Sequence, residues 1–268
     1  MPAITFAYQS ESPVMSDKKV KSKLAFLVVS VLVLSSCNKH FTVQDNAYKE
    51  YGIDNQSEVD SSVVKYYMPY KQQMEAEMNR VIGETEQELT KSSDPETLLG
   101  NFFSDATLTE ALKIDPSVQF ALSTTKGGLR NTLPKGNITV SGIFELMPFE
   151  NELVILKLSG ASVQKVIDFI ASKNGQPVAG IRMKIKNNVG YDVTISGKPF
   201  DINQTYTVLT SDYLANNGDD QSCMANPLER KNIGLKVRDA LMDYIGGQTK
   251  NGKKINTQLD GRISVTNE

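Results

Sequence analysis

What most limits the fold of this chain is how its apolar pattern changes period along residues 80 to 265. VQFALST (118–124), Leu153 to Leu158, GIRMKIKN (180–187), YDVTIS and YTVLTS have the apolar and β-branched density of strands, as do shorter runs at VIGETEQEL (81–89), NITV (137–140) and RISV (262–265). DPETLLGNFFSDATLTEAL (94–112), Ala161 to Ala171 and IGLKVRDALMDYI (233–245) have helical spacing instead. Asn187-Asn188 and Ser196-Gly197-Lys198-Pro199 sit between strands as hairpin turns. Helix and strand in alternation favour parallel pairing, and hairpins inside the series add antiparallel pairs. The expectation is an α+β fold, a mixed sheet with packed helices, forming one domain over residues 58–268, a size one core supports.

Local signals refine the helices. Asp94 is placed to cap the 94–112 helix with Pro95 in its first turn, and Gly246-Gly247 to close the 233–245 helix. Ahead of the strands, Val63, Tyr67, Tyr70, Met74, Met78 and Val81 recur every three or four residues. That spacing predicts an amphipathic helix with its stripe in the core, Asp60 or Ser57 as its cap and a kink at Pro69.

The amino-terminal region has a different character. Lys18, Lys19, Lys21 and Lys23 precede an apolar run from Leu24 to Leu34, followed by Ser35-Ser36-Cys37. The run is shorter than the roughly 20 residues a spanning helix needs, so residues 1–37 are read as a signal peptide. A small residue before a cysteine resembles the bacterial lipobox, which implies lipidation at Cys37, a polar tether over 38–57 and attachment at the cell envelope without a span. Asn38, where aspartate would favour the inner membrane, leans the expectation toward the outer membrane. Residues 1–14 have no role in such a signal, and Met15 makes the better start. Once Cys37 is acylated, Cys223 is the one cysteine left, so no intrachain disulfide forms.

Composition excludes other classes. With 40% hydrophobic and 22% charged residues the chain can build a core, and a formal charge of −2 with no basic stripe gives nucleic acid nothing to bind. Three loops remain as carriers of chemistry. Gly127-Gly128-Leu129-Arg130 follows a strand and pairs a tight turn with a planar cation suited to an anion. Pro148-Phe149-Glu150-Asn151 sets an aromatic after a fixed turn residue. Asp212-Tyr213-Leu214-Ala215-Asn216-Asn217-Gly218-Asp219-Asp220 puts a ring and carboxylates on one loop, able to grip a ring and a sugar.

In this order and spacing, the segments resemble the C-terminal, substrate-binding domain of the 5'-nucleotidase family. ETLLGNFFSDA is similar to its opening helix, STTKGGLR to its (N)GGGIR turn, MPFEN to its PFxN segment, DYLANNGDD to its FLANGGDGF loop, and VRDALMDYI with DGRISV to its closing helix and strand. The resemblance implies a nucleoside or nucleotide ligand, its base held between Phe149 and Tyr213 and its ribose and phosphate met by Arg130 and Asp219, with Gly127, Gly128 and Asn151 completing the site. Thr125 and Lys126 stand where the family has asparagine and glycine, and Asn217 to Gln221 depart from GGDGF.

The family's enzymes add a metallophosphatase domain with two metals held by several histidines, aspartates and an asparagine. This chain has one histidine, His40, in the tether. No ligand set for two-metal chemistry exists here, and no serine or cysteine has a histidine to activate it. The expectation is no catalytic residue, no metal or other cofactor on this chain, and no hydrolysis by the chain alone. The leading function is the substrate-binding half of a split 5'-nucleotidase in nucleotide catabolism, with divalent metals on a separately encoded metallophosphatase partner. The alternatives are a free-standing nucleoside- or nucleotide-binding lipoprotein and a degenerate interaction domain.

Overall fold

The computed structural model describes residues 17–34, 48–52, 59–220 and 222–266. Residues 1–16, Cys37, His40, Gln221 and most of the 38–57 tether lie outside these. The chain divides into two units, Met1–Val59 and Asp60–Glu268. In the first, helix α1 (Asp17–Leu34) carries the lysines and the apolar run, with Leu24, Phe26, Leu27, Val28 and Val29 exposed. Among the described residues no helix is long and apolar enough to cross a membrane.

The second unit is built around a strand that buries both its faces. Along β4 (Glu152–Ser159), Leu153 and Ile155 enter one apolar cluster while Val154, Leu156 and Leu158 enter another. Because side chains alternate across a strand, a continuous apolar run such as LVIL needs cover on both sides. β2 (Phe120–Leu122) and β8 (Thr205–Ser211) divide in the same way: Ala121 and Leu209 face the first cluster, and Phe120, Leu122, Tyr206 and Val208 the second. With β9 (Glu229–Lys236) they form a sheet of order β2-β8-β4-β9, parallel between β2 and β8 and antiparallel elsewhere.

The first cluster is closed by α3 (Leu98–Ile114), α4 (Val140–Leu146) and α7 (Val237–Lys250), beside a two-stranded pair of β1 (Val81–Thr85) and β3 (Gly136–Thr139). The second is closed by α5 (Gly160–Ser172), whose Val163, Val166, Ile167 and Ile170 lie on one face at helical spacing. The Ser159 hydroxyl caps that helix by accepting from the Ser162 N–H at 3.2 Å. A second four-stranded sheet packs there, of order β10-β5-β6-β7: β10 (Ile263–Val265), β5 (Ile181–Lys186), β6 (Val189–Ile195) and β7 (Lys198–Pro199). Its hairpins turn where foreseen, with Asn187 and Asn188 at φ 50° and 61° and Ser196 and Gly197 at φ 48° and 74°. Two successive left-handed residues match the twist of the flanking strands. The α+β class with mixed sheets and packed helices is the observed one.

Three expectations are corrected. The 94–112 helix starts later, at Leu98, because Thr97 rather than Asp94 supplies the cap, its hydroxyl accepting from the Gly100 N–H at 3.0 Å. The 233–245 helix starts late: its first four residues belong to β9, which pairs with β4 as a sheet edge, and α7 begins at Val237. α7 also runs through Gly246 and Gly247 to a cap at Asn251, and Gly252, at φ 69°, takes the left-handed position beyond it.

The third correction is the stripe at 63–81. α2 (Ser61–Met78) forms and Asp60 caps it, but it buries no residue. Val63, Tyr70 and Met74 are 55%, 64% and 61% exposed, so the periodic face lies at the surface and not in the core.

Candidate functional site

β2, β8 and most of β4 are covered on both faces, and the loops at one end of these strands stand open to a ligand. β2 and β8 run parallel and end together, Leu122 beside Thr210, while Leu153 at the start of antiparallel β4 lies opposite Ser211. The chain therefore leaves β2 into 123–130, leaves β8 into 212–219 and enters β4 from 147–151, all at one end of the sheet. Parallel strands commonly bind ligands at their carboxyl ends.

These loops enclose a cleft of about 340 Å³, within the range of small-molecule sites. All seven residues expected at the site, Gly127, Gly128, Arg130, Phe149, Asn151, Tyr213 and Asp219, line it. Sequence reasoning missed Ser123, Thr124, Met147, Ser211 and Leu214 as lining residues. Ser123 and Thr124 follow β2, Ser211 ends β8, Met147 caps α4 and Leu214 lies in α6 (Asp212–Ala215), and only the strand pairing brings them to the same end.

The cation and the ring of the first two loops touch. The Arg130 guanidinium lies 5.0 Å from the centre of the Phe149 ring, and the Arg130 N–H donates to the Leu146 carbonyl at 3.0 Å. That contact holds a planar cation at the rim while leaving its edge to donate to an anion. The segment bearing Phe149 is fastened from beneath. Glu150 pairs with Lys236 and Arg238, and the Arg238 guanidinium stacks 3.8 Å over the Phe144 ring. Hydrogen bonds from Lys236 and then Arg238 hold the Glu150 carboxyl down to about 2. No ring contact joins Phe149 to Tyr213, so two aromatic walls stand in one cleft without touching.

The glycines differ in their necessity. A side chain at Gly128 would begin 2.3 Å from the Thr124 hydroxyl, whereas one at Gly127 would meet nothing closer than 3.6 Å. Gly218 lies under the Tyr213 ring, where an added Cβ would sit 2.4 Å from a ring carbon. The following Asp219 is in the left-handed region at φ 54°. Its carboxylate accepts from the Thr125 hydroxyl at 2.6 Å and from the Tyr213 hydroxyl at 3.0 Å. Asp212, on the same loop, accepts from the backbone N–H groups of Glu152 at 3.1 Å and Tyr213 at 2.7 Å, tying that loop to the start of β4.

The two departures at the start of the glycine turn point to opposite sides of it. Thr125 lines the cleft. Lys126 turns away, its ammonium donating to the carbonyls of Asn174 at 2.8 Å and Ser93 at 3.3 Å, where burial lowers its pKa against the pull of Asp94. Lys126 is thus a strut between loops and not a wall of the cleft.

What the arrangement can do is hold a flat polar ligand through two rings, one cation and one carboxylate. Among the described residues no group of three or more His, Cys, Asp or Glu is placed to hold a metal ion. Burial also pushes the Cys223 thiol up, away from the nucleophilic thiolate.

Fold and cleft together define an α+β domain with a candidate site in a cleft at one end of its central strands. Residues 81–226 match the model of the 5'-nucleotidase C-terminal domain, and the chain belongs to that family. The trifunctional nucleotide phosphoesterase protein YfkN of Bacillus subtilis is 27% identical over 231 residues, covering 79% of this chain and 16% of its own length. The 5'-nucleotidase of Vibrio parahaemolyticus is 25% identical over 221 residues, 75% of this chain and 38% of the relative. Among solved structures, the 5'-nucleotidase precursor of Thermus thermophilus superposes with a TM-score of 0.67 at 27% identity, covering 76% of this chain and 43% of that one. This chain therefore spans less than half the length of these relatives.

Proposed function

We propose that this chain is the substrate-binding half of a split 5'-nucleotidase acting in nucleotide catabolism. It is lipid-anchored through Cys37 at the cell envelope and works with a separately encoded metallophosphatase that carries the divalent metals. The observation that carries this reading is the cleft itself, which gathers Arg130, Phe149, Asn151, Tyr213 and Asp219 from three loops far apart in sequence. Two rings offer faces to a nucleobase, a carboxylate offers acceptors to a sugar, and an arginine edge offers donors to a phosphate.

Calorimetry with adenosine and AMP on the full chain tests the ligand. Removing one ring by Phe149→Ala forfeits a stack worth about 0.5–1.5 kcal/mol beyond buried area, so adenosine should bind roughly 2- to 10-fold more weakly. Arg130→Ala should weaken AMP more than adenosine. Undetectable binding of both ligands to the wild type refutes the ligand assignment. The partner is tested by co-expressing a secreted metallophosphatase encoded beside this chain and assaying AMP hydrolysis with divalent metal. Ligand binding without association or gain in activity would leave a free-standing binding lipoprotein in place of the split enzyme.

A further inference from the structure

Asp219 is exposed, yet it is held at several points. The Thr125 hydroxyl donates to its Oδ2 at 2.6 Å, the Tyr213 hydroxyl donates to its Oδ1 at 3.0 Å, and its own N–H donates back to the Tyr213 oxygen at 3.3 Å. An ionised carboxylate only accepts, so the direction of both hydroxyls is fixed. Thr125 is held in turn: the Gly128 N–H donates to the Thr125 hydroxyl oxygen at 3.3 Å and to its carbonyl at 3.0 Å. Donors therefore converge on the carboxylate from two sides, from the glycine turn through Thr125 and from the Tyr213 hydroxyl. Along the first of these, each bond polarises the next.

The count of acceptors has a consequence. A carboxylate offers about four lone-pair sites, two on each oxygen. Among the described residues, Thr125 takes one on Oδ2 and Tyr213 takes one on Oδ1, which leaves one on each oxygen for a ligand. Two adjacent hydroxyls are the donor pair that matches this remainder. Asp219 and Tyr213 also border the adjoining polar hollow lined by Asp212, Asn216, Asn217 and Gly218, so a ligand diol has room beside the carboxylate.

We propose that the Thr125 and Tyr213 hydroxyls act as a brace that fixes Asp219 for a vicinal diol, making Thr125 and Tyr213 positioning residues that set sugar selectivity. The inference rests on the nucleoside reading of the cleft. It assigns a task to the two hydroxyls and not to the Tyr213 ring. Without the brace the exposed carboxylate is free to change rotamer, and a second sugar hydroxyl gains nothing from its presence.

The test measures binding of adenosine, 2'-deoxyadenosine and 2',3'-dideoxyadenosine to the full chain in detergent. It compares wild type with Thr125→Val and Tyr213→Phe, which remove a hydroxyl and keep shape. Hydrogen bonds to a charged group are worth enough that the wild type should prefer adenosine over the dideoxy ligand by roughly tenfold or more. Each variant should cut that preference several-fold while binding the dideoxy ligand as the wild type does. A general loss of folding or of stacking would weaken all three ligands together, and that result overturns the proposal. So does an unchanged preference in both variants. If the wild type binds no nucleoside, the cleft reading fails first and the brace with it.

Discussion

Arg262 ties α3 to the segments that lead into β5 and β10, and its loss should cost the domain measurable stability. Its guanidinium forks onto Asp105 of α3 at 2.7 and 3.0 Å, reaches Asp260 at 3.1 and 3.2 Å, and donates to the Val178 carbonyl ahead of β5 at 2.8 Å. The side chain is 10% exposed, whereas Asp105 and Asp260 are 41% and 37% exposed. In Arg262→Ala the half-exposed carboxylates recover water, so each pairing counts for about 0.5–1 kcal/mol at most. The Val178 carbonyl cannot recover as easily, and an unmet buried acceptor costs about 1–3 kcal/mol. The sum is about 2–5 kcal/mol, which for a domain of this size lowers Tm by roughly 4–20 °C. Arg262→Lys should restore only part, because an ammonium cannot reproduce the planar fork. The measurement is urea unfolding of wild type, Arg262→Ala, Asp105→Ala and the double variant. The cycle should give a coupling near 1 kcal/mol, with most of the Arg262→Ala loss remaining when Asp105 is already absent. A loss below about 1 kcal/mol for Arg262→Ala, or a loss that vanishes in the Asp105→Ala background, refutes this division between carbonyl and carboxylate.

Leu156 is fully buried in the middle of β4, and Leu156→Ala should cost about 2–5 kcal/mol by urea denaturation; a cost under 1 kcal/mol would mean β4 is not covered on that face. Met74, on the exposed stripe of α2, should behave oppositely: Met74→Gln should change stability by less than about 0.5 kcal/mol, and a larger loss would place α2 in a core. Acid sensitivity follows from carboxylates held below their usual range. The Glu150 carboxyl falls from 4.5 to about 2 through Lys236 and Arg238, and Asp115 falls from 3.8 to about 2 through the Ser117 hydroxyl, then Lys231. Burial raises Asp260, but Arg262 and Arg182 outweigh it and leave it lowered. Below the ordinary values the unfolded chain binds more protons than the native one, so this stability is present above about pH 4.5 and is lost as pH falls toward 2. The urea midpoint should hold from pH 7 to 5 and then decline, less steeply in Glu150→Gln; a decline already complete at pH 5 would contradict it.

The strands were legible where burial leaves a mark in composition. Leu153 to Leu158 reads as a strand, though not as one covered on both faces, and Asn187-Asn188 reads as a hairpin because few residue pairs accept two left-handed conformations in a row. β9 was not legible: ERKNIGLK has no alternation of its own and is a strand only because β4 offers it an edge. The stripe on α2 was misassigned for a related reason. A 3–4 spacing states that one face of a helix is apolar, and it does not state what covers that face.

That three loops meet in one candidate cleft was legible in outline, and the strand order explains why. β2 and β8 end together where β4 begins, and the turn formers and polar residues that follow β2 and β8 and precede β4 are therefore confined to one place. Three loops that each read weakly must converge once the strand order is known. The contacts between them could not be read in advance. Thr125 and Asp219 are 94 positions apart, and nothing in either loop alone distinguishes a threonine that fills a turn from one that holds a carboxylate. Only the parallel pairing of Phe120 with Val208, which carries both strands out at the same end, brings that hydroxyl within 2.6 Å of its partner.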